Sequence, residues 1–137
     1  MDVNLAVLAD YANVSKDGKL NIMGIFQEVH ASELPYQLPQ MYLVMSFTAG
    51  PAEFGSTRDV RVALLHSDGQ EVFTLTAQMQ VPRAARAGSR AYINETIGLA
   101  GVVFQQAGDY AFSILVGDDE KATVPLYVND LSKGGGR

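Results

Sequence analysis

Arg83, Arg86 and Arg90 fall within the short stretch from Pro82 to Arg90 and supply three of the chain's ten Lys and Arg side chains. Such a local concentration suits an anion or an acidic partner, although a solvated loop of small residues carries the same pattern. A second polar group, Asp10, Tyr11 and Asn13, interrupts the end of an apolar run. A buried carboxylate there would lose its solvation, so Asp10 is expected to have a partner, either backbone groups or a cation such as Lys19. The alternative is that the trio lines a polar pocket at one end of the fold. His30 and His66 each stand at the end of an apolar alternation, and neither has the neighbours of a catalytic triad or a tetrahedral metal site. Asp118, Asp119 and Glu120 form an acidic turn, but the nearest further acid is Asp109, which leaves too few oxygens for calcium. The chain has no cysteine and no tryptophan, and it has no phosphate-binding loop. It is therefore expected not to be an enzyme, and no cofactor or metal is expected.

The bulk properties narrow the partners. A net charge of −5 opposes general affinity for nucleic acid, which needs a concentrated basic surface. The start, Met1-Asp2-Val3-Asn4, carries an acid where a secretory signal carries Lys or Arg. No run approaches the roughly 18 apolar residues that would cross a bilayer. A cytoplasmic protein without membrane contact is expected, and the absence of cysteine fits a reducing compartment.

Positioning these residues falls to strands. Val3 to Val14 is apolar on both alternating faces, as in a strand covered on both sides, and after the turn Ser15-Lys16-Asp17-Gly18-Lys19 it is expected to pair with Leu20 to Phe26. Gly24 suggests a bulge or a close backbone approach, and this second strand is expected to run on to Val29 or Ala31. Ser32 to Gln40, with Pro35 and Pro39, reads as a loop crossing between sheets. Alternation then marks strands from Met41, from Asp59, from Phe73 to Gln80, from Ala91 to Leu99, from Tyr110 to Val116 and from Ala122 to Val128. Asp68-Gly69 is the clearest hairpin turn. Pro125 places the last strand at an edge or a bulge, and Gly108-Asp109-Tyr110 resembles the tyrosine corner of immunoglobulin-like sandwiches. The expected fold is all-β, a two-sheet antiparallel β-sandwich of about eight strands, immunoglobulin-like or similar. It forms one domain over residues 1–131, followed by a Gly-rich tail over residues 132–137.

Leu8-Ala9-Asp10-Tyr11-Ala12-Asn13-Val14-Ser15 and Gly18-Lys19-Leu20-Asn21-Ile22-Met23-Gly24-Ile25-Phe26 resemble the opening of a family of small, uncharacterised bacterial proteins. Further marks of the resemblance are Pro39-Gln40-Met41-Tyr42-Leu43-Val44, Pro51-Ala52-Glu53-Phe54-Gly55, Gly108-Asp109-Tyr110-Ala111-Phe112 and Val124-Pro125-Leu126. The resemblance implies a single-domain, bacterial, cytoplasmic protein and assigns no activity, ligand or catalytic residue.

Lacking clustered chemistry, the chain is expected to bind a protein partner or a second copy of itself through an exposed sheet edge or loop end. Strand addition is the simplest mechanism, with Pro125 and Tyr127 near an expected edge. A small-ligand or anion site at Asp10, Tyr11 and Asn13 or at the arginine loop is the alternative. A further alternative is conjugation through the Gly-rich tail.

Overall fold

The alternating runs become nine strands in a computed structural model, which describes residues 1–132. In chain order they are β1 (Asp2–Val14), β2 (Leu20–Phe26), β3 (Glu28–Ala31), β4 (Tyr36–Ala49), β5 (Thr57–His66), β6 (Glu71–Gln80), β7 (Ala91–Phe104), β8 (Gly108–Val116) and β9 (Asp119–Asp130). A short 3-10 turn over Pro51–Glu53 follows β4, and no α-helix occurs among the described residues. One sheet has the order β2-β1-β4-β7 and the other β3-β9-β8-β5-β6. This is the expected β-sandwich. The end of the Gly-rich tail, residues 133–137, lies outside the described residues.

The extra strand arises at Gln27. Instead of running on from β2, the chain changes sheets, and Glu28–Ala31 pairs parallel with Tyr127–Asp130 while every other neighbouring pair is antiparallel. Val29 and Ala31 are thereby buried in the core. The chain returns to the first sheet through Ser32 to Pro35, with a cis Leu34–Pro35 bond. β4 starts at Tyr36, so Pro39 lies within a strand and not in the expected loop. There β4 is paired with β7 alone, because its pairing with β1 ends at Tyr42 and Ala9. A residue without an amide donor is tolerated on such a half-open stretch.

Period-two alternation turns one row of each sheet inward. Leu8, Met41, Leu43, Met45 and Phe47 from the first sheet meet Val62, Leu64, Phe112, Ile114 and Leu126 from the second, all 2% exposed or less. The double-sided apolarity of β1 has a separate cause. The tip of the β1–β2 hairpin lies over the outer face of its own sheet, where the Asn94 side chain donates to the Gly18 carbonyl (2.8 Å). Ala12, Leu20 and Ile22 of the hairpin thus cover Ala9, Val44 and Tyr42 in a second small apolar cluster. Gly24 serves the close approach expected of it: it lies opposite Asp10 with φ +71°, and a Cβ there would stand 2.5 Å from Asp10 Oδ2.

The end of the sandwich holding the β5–β6 turn is fastened by polar groups. Tyr110 donates its phenol proton to the Gln106 carbonyl (2.6 Å), the local hydrogen bond that the tyrosine-corner reading requires. Its ring stacks edge-on against His66 (4.7 Å) and Phe104 (5.1 Å). His66 Nδ1 accepts the Asp68 amide (3.0 Å), so in the neutral ring Nε2 carries the proton that faces the Ala107 carbonyl (3.1 Å). The Gln106 side chain donates to Asp68 Oδ2 (2.8 Å), tying the turn to the β7–β8 connection. The amide of Gln70, and then Gln106, hold the Asp68 carboxyl below its ordinary range, while burial pushes the Tyr110 phenol up.

Candidate functional site

The two sides of the sandwich differ. On one, β1 packs against β9; on the other, β6 and β7 form the last strands of their sheets and stand apart without pairing. The opening is a slot in three joined depressions. The first, about 370 Å³, lies between Glu71–Phe73 and the end of β7 near Val102. The second, about 430 Å³, runs from Phe73 and Leu75 to Gly98–Val102, and the third, about 150 Å³, from Leu75–Met79 to Glu95 and Ile97. Val60, Val62 and Met45 of the core form part of the floor.

Leu75 states the consequence for one side chain. It pairs with Val62 on the inward row of β6, yet it is 40% exposed where Val62 is 2% exposed. Glu95 is the counterpart on β7. It pairs with Met45 on the core-facing row and escapes burial only because the slot lets it reach solvent. In sequence it reads as a polar intruder in an apolar row; in space it marks the mouth of the slot.

The sheet edges are not equally able to take another strand. β2 is interrupted by positive-φ Gly24, and β3 has only four residues. On β7, Gly101 (φ +71°) and Glu95 break the row. The open stretch of β9 carries Asp119, Glu120, Lys121 and Pro125. Charges, prolines and irregular backbone are the devices that keep edges from pairing. β6 has none of them after Glu71: Val72 to Gln80 contains no charge, no proline and no positive-φ residue, and its register with β5 runs unbroken from Gln80 to Phe73.

The connection from β6 to β7 closes one end of the slot and is the arginine loop itself. Arg83, Arg86 and Arg90 border one shallow depression of about 350 Å³ with Ser89 and Tyr92. Arg90 is engaged, reaching Asp2 (3.4 Å) and Thr48 Oγ1 (3.3 Å). Arg83 and Arg86 are exposed, and their guanidinium groups make no hydrogen bond or ion pair among the described residues. Sequence spacing singles out the arginines and marks Glu95 as a polar intruder, while β6 reads as an ordinary strand.

Asp10, Tyr11 and Asn13 are placed elsewhere. Asp10 is exposed and lies over Gly24, its carboxylate without a bonded partner among the described residues, and Lys19 pairs with Asp17 instead (3.4 Å). Its side chain points from the part of β1 that has left the sandwich, so the expected desolvation never arises. Asn13 donates to the Tyr11 hydroxyl (3.3 Å) and accepts from Asn21 (2.9 Å), and Tyr11 rests edge-on against Tyr42 (5.2 Å). The three form a surface patch on the hairpin. Among the described residues no group of His, Asp or Glu could hold a metal ion, and no helix is long and apolar enough to cross a membrane.

Fold and site together define an all-β sandwich with one closed side and one open side. The chain belongs to a family of unknown function (DUF6941), whose pattern it matches over residues 4–129. No curated protein matches it. Among solved structures it is similar to the Pseudomonas fluorescens alkylpurine DNA glycosylase AlkC bound to DNA containing an abasic site analog, at 11% identity and a TM-score of 0.47. That similarity covers 90% of this chain and 30% of the glycosylase, and it is too slight to bear on chemistry.

Proposed function

We propose that this chain is a non-enzymatic protein-binding module that takes up an extended polypeptide segment along the β6 edge, over the slot. The observation that carries the reading is Leu75, a core-row residue left 40% exposed beside an uncharged, proline-free edge. An added strand would satisfy the outward backbone groups of β6, each such bond being worth about 0.5–1.5 kcal/mol net. Its alternate side chains would cover Leu75 and Ile97, so the segment should be apolar at every second position. Acidic residues would suit the end that meets Arg83 and Arg86. A net charge of −5 supports a partner that is not nucleic acid. The lack of cysteine and the family resemblance support a setting in the bacterial cytoplasm.

An array of extended peptides with alternating Val, Leu or Phe tests this reading. Wild-type chain should bind a subset of them, and Leu75→Lys, which places a charge in the slot, should weaken that binding by at least about tenfold. Binding that Leu75→Lys leaves unchanged would overturn it. A second reading, an anion site at the arginine loop, is favoured by the unpaired Arg83 and Arg86 around their shared depression. Phosphate or a dicarboxylate that raises the melting temperature of wild type but not of Arg83→Ala/Arg86→Ala would support it.

A further inference from the structure

We propose that the strand this edge takes is β6 of a second copy of the chain, paired antiparallel about a two-fold axis at Thr76. The inference rests on the strand-accepting reading of β6 and names its partner.

The edge is complementary to itself when reversed. Its uncharged stretch, Val72 to Gln80, is centred on Thr76, with Glu71 just before it and Arg83 shortly beyond its other end. An antiparallel two-fold therefore brings each Glu71 to the second copy's Val81-Pro82-Arg83, carboxylate beside guanidinium, at both ends of the ladder. A parallel arrangement would instead set Glu71 beside Glu71 and Arg83 beside Arg83. Residues opposite each other across an antiparallel pair point to the same face. About Thr76 the inward row then matches Leu75 with Ala77 and Phe73 with Met79, so the slot-facing leucine meets a small residue and not another leucine. The outward row matches Thr74 with Gln78 and Thr76 with Thr76, polar against polar.

The association also closes. Two five-stranded sheets become one continuous sheet, and the open sides of both sandwiches face each other, which removes Leu75 from water. The contact is isologous, so each copy uses its β6 once. The remaining edges are the ones blunted by Gly24, Gly101, Glu95, Pro125 or shortness, which stops growth at two copies.

Sedimentation velocity over a range of protein concentrations tests this on wild type, Glu71→Arg, Arg83→Glu and the double reversal. Both side chains are exposed, and circular dichroism verifies that each variant is folded. The wild type should dimerise, each single reversal should raise the dimer Kd about tenfold or more, and the double reversal should return it close to the wild-type value. A wild type that stays monomeric, or single reversals that dimerise like wild type, would overturn the dimer. If peptide binding sensitive to Leu75→Lys persists in a monomeric wild type, the edge still accepts strands but not its own. If both peptide binding and dimerisation are missing, the strand-accepting reading falls with the dimer.

Discussion

Phe112→Ala should lower the free energy of unfolding by about 3–5 kcal/mol, measured by urea denaturation. Phe112 is fully buried on β8, between Leu64 of β5 and Val124 of β9, and its ring meets Phe73 of β6 edge-on at 6.1 Å. The cavity left by alanine would open beside the slot, because Phe73 lines two of its depressions. A domain of this size has about 5–15 kcal/mol in total, so the variant should sit near the limit of folding. The loss should not be confined to stability. Phe73 would lose its support, and amide exchange along β6 should accelerate more than along β1 or β4. Equal acceleration in all three strands would mean that the ring supports the whole core and not the open side in particular.

Gly108→Ala should cost about 3 kcal/mol by the same measurement. Gly108 starts β8 at φ +125°, a region that side chains avoid, and a Cβ there would stand 2.8 Å from His66 Nε2. Backbone strain accounts for about 1–3 kcal/mol. Displacing His66 adds the loss of its contact with the Ala107 carbonyl and of its stacking on Tyr110. Gly117→Ala supplies the comparison. It also has positive φ, +61°, but nothing lies within 4 Å of its would-be Cβ, and it should cost only about 1 kcal/mol. Equal costs at the two positions would refute the part assigned to His66.

The architecture was legible in the sequence to a considerable degree because alternation is enforced by burial. A row such as Met41, Leu43, Met45 and Phe47 admits one face toward the core, and Asp68-Gly69 admits few turns other than a hairpin. The switch at Gln27 was not legible, since Phe26, Val29 and Ala31 read as one continuous strand unless the second sheet is already in view. Pro39 misled for a related reason: a proline argues against a strand, but not where the strand is paired on one side only. The candidate site divides in the same way. Three arginines within a few residues stand out in any reading, whereas the exposure of Leu75 depends on β6 and β7 being last in their sheets, a fact of topology that no local pattern carries. The isolated Asp10 looked buried because its neighbours are apolar, yet those neighbours are covered by the hairpin's own tip.

The parallel pairing of β3 with β9 has a temporal consequence. A chain made from its amino end exposes Val29 and Ala31 long before residues 127–130 exist to receive them. The first sheet can assemble as soon as β7 has emerged, and β5, β6 and β8 can pair with one another, but β3 joins the second sheet only through the final strand, and until then Val29 and Ala31 lack their place in the core. Completion of the core during synthesis should therefore be a late event, and a nascent chain halted before Asp119 should be cut by protease first around Glu28–Ala31, whose only partner strand is still missing.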